Sequence, residues 1–260
     1  MHRTNLKCLP ALALSFVVLF GTSALHAQTP TAWGYSTGYG NVYGTFGLAQ
    51  TMQTMYNTTR RHTQTTTSSS GATPATTRSN TQTVAPPPRV VHNYGVFRAD
   101  QALDTGKAMA DALGDTPEAK ALIMKIYAAT KAAYEKEASP KGWNKNIAGG
   151  LTFFTVAAMT AYHDAEEPSD AAVETYYQAV NASLDEMPAL ASVSNKDKQN
   201  YNNMLIGFAG IVLAGYTEGK QTGDATTIEN YKKVAGMLIK MVMTTDPENV
   251  RLENGQIVLK

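Results

Sequence analysis

Apolar side chains recur at the three- and four-residue spacing of an α-helix from about position 100 to position 245. This spacing, together with capping residues and prolines between the apolar runs, predicts six helices. Their expected ranges are 100–113, 117–139, 146–164, 169–187, 194–218 and 224–245. Further along, Asn254 and Gly255 separate two short arms that contain apolar residues, which predicts a β-hairpin. We therefore expect an all-α fold, a compact bundle of about six helices with a C-terminal β-hairpin.

The third and fifth predicted helices are expected to form the centre of this bundle. The third is apolar on every side, which is typical of a helix surrounded by others. The fifth carries several glycines, and each costs about 1 kcal/mol relative to alanine inside a helix. These glycines are Gly207, Gly210, Gly215 and Gly219. They indicate a close neighbour, and we expect it to be the third helix, which is rich in glycine and alanine.

The chain before position 92 lacks this helical periodicity. Residues 28–56 form a leader rich in glycine and tyrosine, and glycine at this density favours neither a helix nor a strand. We interpret its rings as contacts for a surface or a partner, the alternative being an inert disordered leader; they are Trp33, Tyr35, Tyr39, Tyr43 and Phe46. Residues 57–91 are dominated by threonine, serine and proline, which predicts a disordered linker before a helical domain at 92–260.

Residues 1–27 have the pattern of a secretory signal peptide. Basic residues are followed by an apolar stretch from Leu9 to Phe20 and then by mostly small residues. The stretch is shorter than the roughly 20 residues that span a bilayer, so we expect cleavage after Ala27 or Ala24, a periplasmic or secreted chain, and no membrane span in the mature chain. The single cysteine, Cys8, falls within the signal, which excludes disulfides from the exported chain.

Charge is unevenly distributed along the chain. Residues 28–98 contain five arginines and no acidic residue. Apart from Arg3 and Lys7, the other 15 of the 22 basic residues fall in 99–260, together with all 21 acidic ones. A basic tail therefore precedes a mildly acidic domain. Five arginines at this spacing are too sparse for a nucleic-acid patch, so we expect no nucleic-acid partner and predict that an envelope surface or a protein is bound through the leader.

Few side chains suggest chemistry. His163 and Glu167 stand one turn apart at the end of the third predicted helix and are candidate ligand-binding residues, although they also fit a solvated helix end. Trp143 and Asn144, in the loop before that helix, are further candidates, and a tryptophan that closes the core is the alternative. No phosphate-binding loop, dinucleotide fingerprint or HExxH motif occurs. We expect no cofactor and no metal site, and the sequence favours a protein that is not an enzyme.

The order of these segments and three short motifs resemble an uncharacterised family of exported bacterial proteins with an alanine-rich helical domain. The motifs are YGVFRAD at 94–100, LIMKIY at 122–127 and NMLIGFAG at 203–210, and the similar region covers roughly 94–242. The resemblance implies a helical domain and no known activity. No functional residue is carried over from it.

Three functions fit these features. The favoured one is a non-catalytic binding or structural protein of the bacterial envelope or exterior, with the leader as contact and the helical domain as body. The second is a bundle that holds a small apolar ligand between its third and fifth helices. The third is a cell-wall hydrolase that uses acidic residues, for which Glu167, Glu174 and Glu218 are candidates.

The first test concerns export. Expressed in its bacterial host, the chain should be recovered outside the cytoplasm with Gln28 as its first residue, or Leu25 if cleavage follows Ala24. Intact-mass analysis of the recovered protein distinguishes these two products. Recovery of only the uncleaved chain, starting at Met1, would show that the signal interpretation is wrong.

Overall fold

The computed structural model describes residues 56–64 and 91–260. Within these residues the chain forms seven α-helices and one antiparallel two-stranded sheet. The elements are α1 (56–64), α2 (Thr105–Leu113), α3 (Pro117–Ala138), α4 (Ile147–His163), α5 (Asp170–Asp185), α6 (Asn195–Thr222), α7 (Ala225–Met243), β1 (Val250–Glu253) and β2 (Gln256–Leu259). The predicted all-α fold with a C-terminal hairpin is confirmed.

Helices α4 and α6 form the most extensive helix–helix contact of the bundle. Helix α6 also packs against α2, α3 and α7, and α4 packs against α5 and α7. Most residues of both helices are buried, as expected for helices that are surrounded on several sides. The predicted central pair is therefore confirmed.

The glycines of α6 do not serve this central contact, which corrects the sequence prediction. Gly207 faces Met109 of α2, Gly210 faces Thr130 of α3, and Gly215 lies under the ring of Tyr231 of α7. Only the α4 side contributes a glycine to the α4–α6 interface, since Gly150 faces Asn202 of α6. The reason is that a bare backbone accepts any large neighbour, and spacing alone does not say which helix supplies it.

Most predicted helix starts are confirmed by capping hydrogen bonds. Thr116, Asn146, Ser169, Ser194 and Asp224 each accept a hydrogen bond from a backbone N–H in the first turn of the helix that follows. Two boundaries differ from the prediction. Helix α6 continues past Glu218 to Thr222 and ends at Gly223, whose φ is +68°, and α5 ends at Asp185, before a 3-10 turn at Pro188–Ser192.

The first domain helix also begins later than predicted, because residues before it are held by side chains of α6. Asp104, and not Asp100, caps α2. The Asp100 backbone N–H donates to the Gln199 side-chain oxygen at 2.5 Å, and the Gln199 amide donates back to the Asp100 carbonyl at 2.9 Å. This two-way bond replaces the pairing that a helix would give the backbone of Asp100.

The C-terminal hairpin turns at Asn254 and Gly255, with φ of +50° and +73°. Two consecutive positive φ values are the geometry of a type I′ turn, which favours this residue pair. Strand β1 packs against α4 and β2 against α5, with Val250, Ile257 and Leu259 buried. A two-stranded ribbon is only marginally stable alone, so its apolar side is held by the helices.

Thr130 packs directly against Gly210, and this close contact gives a stability prediction. A Cβ added at position 210 would overlap the Thr130 hydroxyl oxygen and lie 2.8 Å from the Thr130 Cβ, atoms close to the backbone of α3. Gly210→Ala should therefore lower the free energy of unfolding by about 2 kcal/mol, the range for overpacking. Urea unfolding followed by circular dichroism measures the change.

Gly207→Ala is the matched control. Its Cβ would meet the sulfur and terminal methyl of Met109, and this flexible side chain is able to move away. The control should lose clearly less stability than Gly210→Ala. Equal or greater stability of Gly210→Ala relative to the unmodified protein contradicts the described packing.

Candidate functional site

The Trp143 loop lies between α3 and α4 and closes one end of the core. Gly142 makes the turn with a φ of +72°. The Trp143 ring is 7% exposed and stacks on Tyr177 of α5 with ring centroids 4.1 Å apart. The Lys141 ammonium lies 4.7 Å from the Trp143 ring centroid, on what remains of its surface. These contacts give Trp143 a packing role, and its neighbour Asn144 is half-buried beside it.

Asn146, at the predicted start of the third helix, caps α4 and joins it to α5. Its side-chain oxygen accepts from the Ala148 N–H at 3.0 Å, and its amide donates to the Asn181 oxygen at 2.8 Å and to the Tyr177 hydroxyl at 3.3 Å. The Asn146 side chain is therefore satisfied inside the protein, as burial of an amide requires. The long-range partner Asn181 carries no signal in the local sequence.

The end of α4 at His163 removes the helical spacing on which the His163 and Glu167 pair was predicted. Helix α4 ends at His163, and Asp164 adopts a left-handed conformation with a φ of +51°. Glu167 lies beyond this break and is exposed, so the two side chains are not one helical turn apart. His163 Nε2 instead lies 2.9 Å from the carbonyl oxygen of Val250, where it ties α4 to the hairpin.

A charged cluster at this end of α4 was not identified from the sequence. The Asp164 carboxylate accepts hydrogen bonds from the Tyr216 hydroxyl and, at 2.8 Å, from the Lys220 ammonium. The Lys220 bond, followed by the Tyr216 bond, holds the pKa of Asp164 below its usual value. Burial, followed by the Asp164 carboxylate, raises the pKa of Tyr216. Tyr216 and Lys220 are one turn apart on α6, but their partner is distant in the sequence.

Helix α1 provides the largest departure from the sequence prediction, because it lies in the range expected to be a disordered linker. Tyr56, Thr59 and Thr63 turn to the domain and are each 5% exposed or less. The Tyr56 hydroxyl donates to the main-chain oxygen of Lys260, and the Thr59 hydroxyl donates to the Ser183 hydroxyl at 2.9 Å. The linker prediction for the remaining positions, 65–90, lies outside the described residues, as do the leader residues Trp33, Tyr35, Tyr39, Tyr43 and Phe46.

The signal for α1 in the sequence is weak. Its inward positions follow helical spacing, but threonine occupies most of them, and threonine is both a poor helix former and a weak hydrophobe. A search for apolar periodicity therefore passes over α1. In the sequence, Met52 and Met55 precede Tyr56 and continue the same three- and four-residue spacing. These two apolar residues are the signal by which a helix is predicted here from the sequence alone.

The described part of the chain offers no metal-binding constellation. Among residues 56–64 and 91–260, no group of three or more His, Cys, Asp or Glu side chains is placed to hold a metal ion. Over the same two ranges, none of the helices combines the length and the apolar character needed to cross a membrane.

Comparison with known proteins places the chain in a sequence family. The model of a family of unknown function, DUF6683, matches residues 10–260. The match includes the leader and the linker as well as the helical domain. Neither a curated protein nor a solved structure gave a match.

The Asp164 cluster makes a prediction about pH. Because the folded-state pKa is lowered, ionised Asp164 stabilises the fold above its unfolded value of 3.8, and this contribution disappears as the pH falls through the folded pKa. Asp164→Asn keeps a residue that tolerates the left-handed conformation. It should cost about 0.5 kcal/mol near pH 6, the range of exposed ion pairs, and this cost should shrink as the pH falls below 3.8 through the lowered folded-state pKa.

Lys220→Gln is the control from the other side of the ion pair. It should show a loss of similar size with the same pH dependence, measured by denaturant unfolding from pH 3 to pH 7. A cost of Asp164→Asn that stays constant across this range means that the carboxylate charge does not stabilise the end of α4.

Proposed function

The chain belongs to the DUF6683 family, a family of unknown function, and on this premise we propose that it is a non-catalytic binding or structural protein of the bacterial envelope or exterior. In this proposal the signal peptide directs export. The glycine- and tyrosine-rich leader contacts an envelope surface or a partner protein, and the helical domain is the body that carries the leader.

The observation that carries this proposal is how the domain uses its polar side chains. His163 bonds to the backbone of β1, Asp164 bonds to α6, and Asn146 joins α4 to α5. Each of these contacts fixes a helix end or connects two elements. Catalytic sites, in contrast, leave ionisable groups facing a cleft with pKa values suited to proton transfer.

Neither alternative gains support of this kind. For the apolar ligand, the space expected above the glycines of the central helices is filled: the Tyr134 hydroxyl and Trp143 cover Gly149, and Asn202 covers Gly150. For the hydrolase, Glu174 accepts a hydrogen bond from Gln178 on the same helix. Partial burial raises the pKa of Glu167, but no described contact places a second candidate carboxylate against it, as glycoside hydrolysis requires. The binding protein remains the proposal.

The leader supplies the chemistry of contact. Its aromatic rings are spaced by glycine, serine and threonine, a composition that offers stacking surfaces without a core of its own. Rings of this kind contact carbohydrate faces and other aromatic side chains with little loss of side-chain entropy. A polymer or protein at the cell surface therefore fits the leader better than a small soluble ligand.

The test is to delete residues 28–55, which removes the leader and keeps α1. In the native host, the full-length chain should co-sediment with the cell envelope. For the deletion variant, the ratio of soluble exported protein to envelope-bound protein should rise at least tenfold. Immunoblots of the fractions measure both. A deletion variant that sediments like the full-length chain shows that the leader does not make the contact.

A matched control replaces the five leader rings with serine while keeping the length of the chain. The variant carries Trp33→Ser, Tyr35→Ser, Tyr39→Ser, Tyr43→Ser and Phe46→Ser. It should behave like the deletion if the rings carry the contact. Envelope binding that survives the ring replacement but not the deletion assigns the contact to the leader backbone, and contradicts the role of the rings.

A further inference from the structure

We propose that α1 is a latch, which docks on its own domain and fixes the point where the leader leaves it. The docking surface, called the latch face here, consists of Ser183 and Glu186 at the end of α5 and the main-chain oxygen of Lys260 after β2. This inference rests on the proposed function, since it concerns how the contact segment is presented. With α1 docked, the leader starts directly at one face of the domain and is not separated from it by a long linker.

Helix α1 meets the latch face mainly with one side. Tyr56, Thr59 and Thr63 recur at intervals of three and four and are buried, while Asn57 and Arg60 are exposed; Thr58, outside this spacing, is buried as well. The spacing places Tyr56, Thr59 and Thr63 on a single stripe. The stripe ends in two directional contacts that lie far apart in sequence, Tyr56 with Lys260 and Thr59 with Ser183.

Docking also explains why these residues are helical at all. The described helix has nine residues and includes three threonines, Thr58, Thr59 and Thr63. Isolated helices shorter than about 12–15 residues are marginal in water even when built from good helix formers. The helix therefore depends on its contacts with the domain, and its helicity reports whether the latch is closed.

One further side-chain contact joins α1 to the latch face. His62 Nε2 lies 2.9 Å from a carboxylate oxygen of Glu186. His62 is thus the third side chain of α1, with Tyr56 and Thr59, that makes a directional contact with the latch face.

Both ends of the 65–90 segment meet this same turn of α5. His62 contacts Glu186, and the backbone N–H of Tyr94 donates to the carboxylate of Asp185 at 3.3 Å. The leader directly precedes α1 in the chain, so a docked α1 makes the leader start at the latch face and not at residue 91.

The occupant of the latch face is the chain's own α1. Because α1 belongs to the same chain as the latch face, its effective concentration there is in the millimolar range. A second copy reaches such a concentration only when it is densely packed. Exchange of α1 between copies, the general route to a swapped dimer, is therefore an outcome that the experiment must separate from the latch.

The experiment uses a disulfide across the latch. In a full-length chain with Cys8→Ser, Thr59→Cys and Ser183→Cys replace two hydroxyl groups that lie 2.9 Å apart, close enough for a disulfide. Mild oxidation with diamide should cross-link most of the chains within themselves. The product should run faster than the reduced chain on a denaturing gel, and its linked peptides should be identified by mass spectrometry. Failure to cross-link contradicts the latch.

Two controls decide how a cross-link is interpreted. Arg60→Cys with Ser183→Cys moves the thiol to the exposed side of α1 and should cross-link at least fivefold less. Equal cross-linking of the two pairs means that the segment is only nearby and not docked, which overturns the proposal. The second control mixes two chains that each carry one cysteine, Thr59→Cys in one and Ser183→Cys in the other. The mixture should give no covalent dimer. A dimer would show that α1 of one chain docks on the latch face of another, which overturns the proposal.

Hydrogen exchange provides a readout that needs no cysteine. Tyr56→Phe removes only the hydroxyl that donates to Lys260. Amide protection within 58–64 should fall about fivefold, the factor that one typical hydrogen bond contributes to an equilibrium, while protection in α4 stays unchanged. Unprotected amides in α1 of the unmodified protein contradict the latch.

The locked chain separates this inference from the proposed function. If the leader is the contact and the latch is closed in the cell, the oxidised Thr59→Cys, Ser183→Cys chain should sediment with the envelope as the unmodified chain does. Loss of sedimentation on locking means that binding needs an open latch and overturns this inference. Deletion of 28–55 tests the leader independently, because it leaves the latch in place.

Discussion

The backbone of α6 is the surface on which the rest of the bundle depends. Side chains from three neighbouring helices lie directly on its glycines: Met109 of α2 on Gly207, Thr130 of α3 on Gly210, and Tyr231 of α7 on Gly215. The glycines lower the intrinsic helix stability, and in return the neighbouring helices approach closely enough to fill the interior at the density of a well-packed core. Helix α4 covers the remaining side of α6, and strand β1 of the hairpin packs on α4.

The interior polar groups follow from this close packing. Thr130 and Thr155 are both fully buried. Their hydroxyls donate hydrogen bonds to carbonyl oxygens of their own helices, at 2.9 and 2.8 Å. Asn202 accepts from the backbone of Gly150 at the start of α4. A core that excludes water favours neutral groups that pair locally with the backbone, because an unpaired charge there is costly. The charged residues are consequently found at helix ends and on the outer faces.

Local signals made most of the fold predictable, and long-range contacts limited the rest. Ser194 and Asp224 cap their helices through atoms within three residues, and the Asn254–Gly255 turn is likewise encoded in its own sequence. The neighbours of Gly210 were not predictable, since any large side chain of any helix fits a bare backbone. Helix α1 escaped prediction for another reason: threonine gives no apolar periodicity, and its partners Ser183 and Lys260 lie far along the chain. The Asp164 cluster depends on the same kind of distant pairing.

Native-state hydrogen exchange across a denaturant series tests most directly whether α6 is the centre of this structure. If it is, amides of residues 204–216 in α6 and those of α4 exchange only through global unfolding, and their free energies of opening converge on the global value. Residues of α7 and the hairpin should open at lower free energies. Opening of the glycine-containing half of α6 before the helices that pack on it contradicts this account.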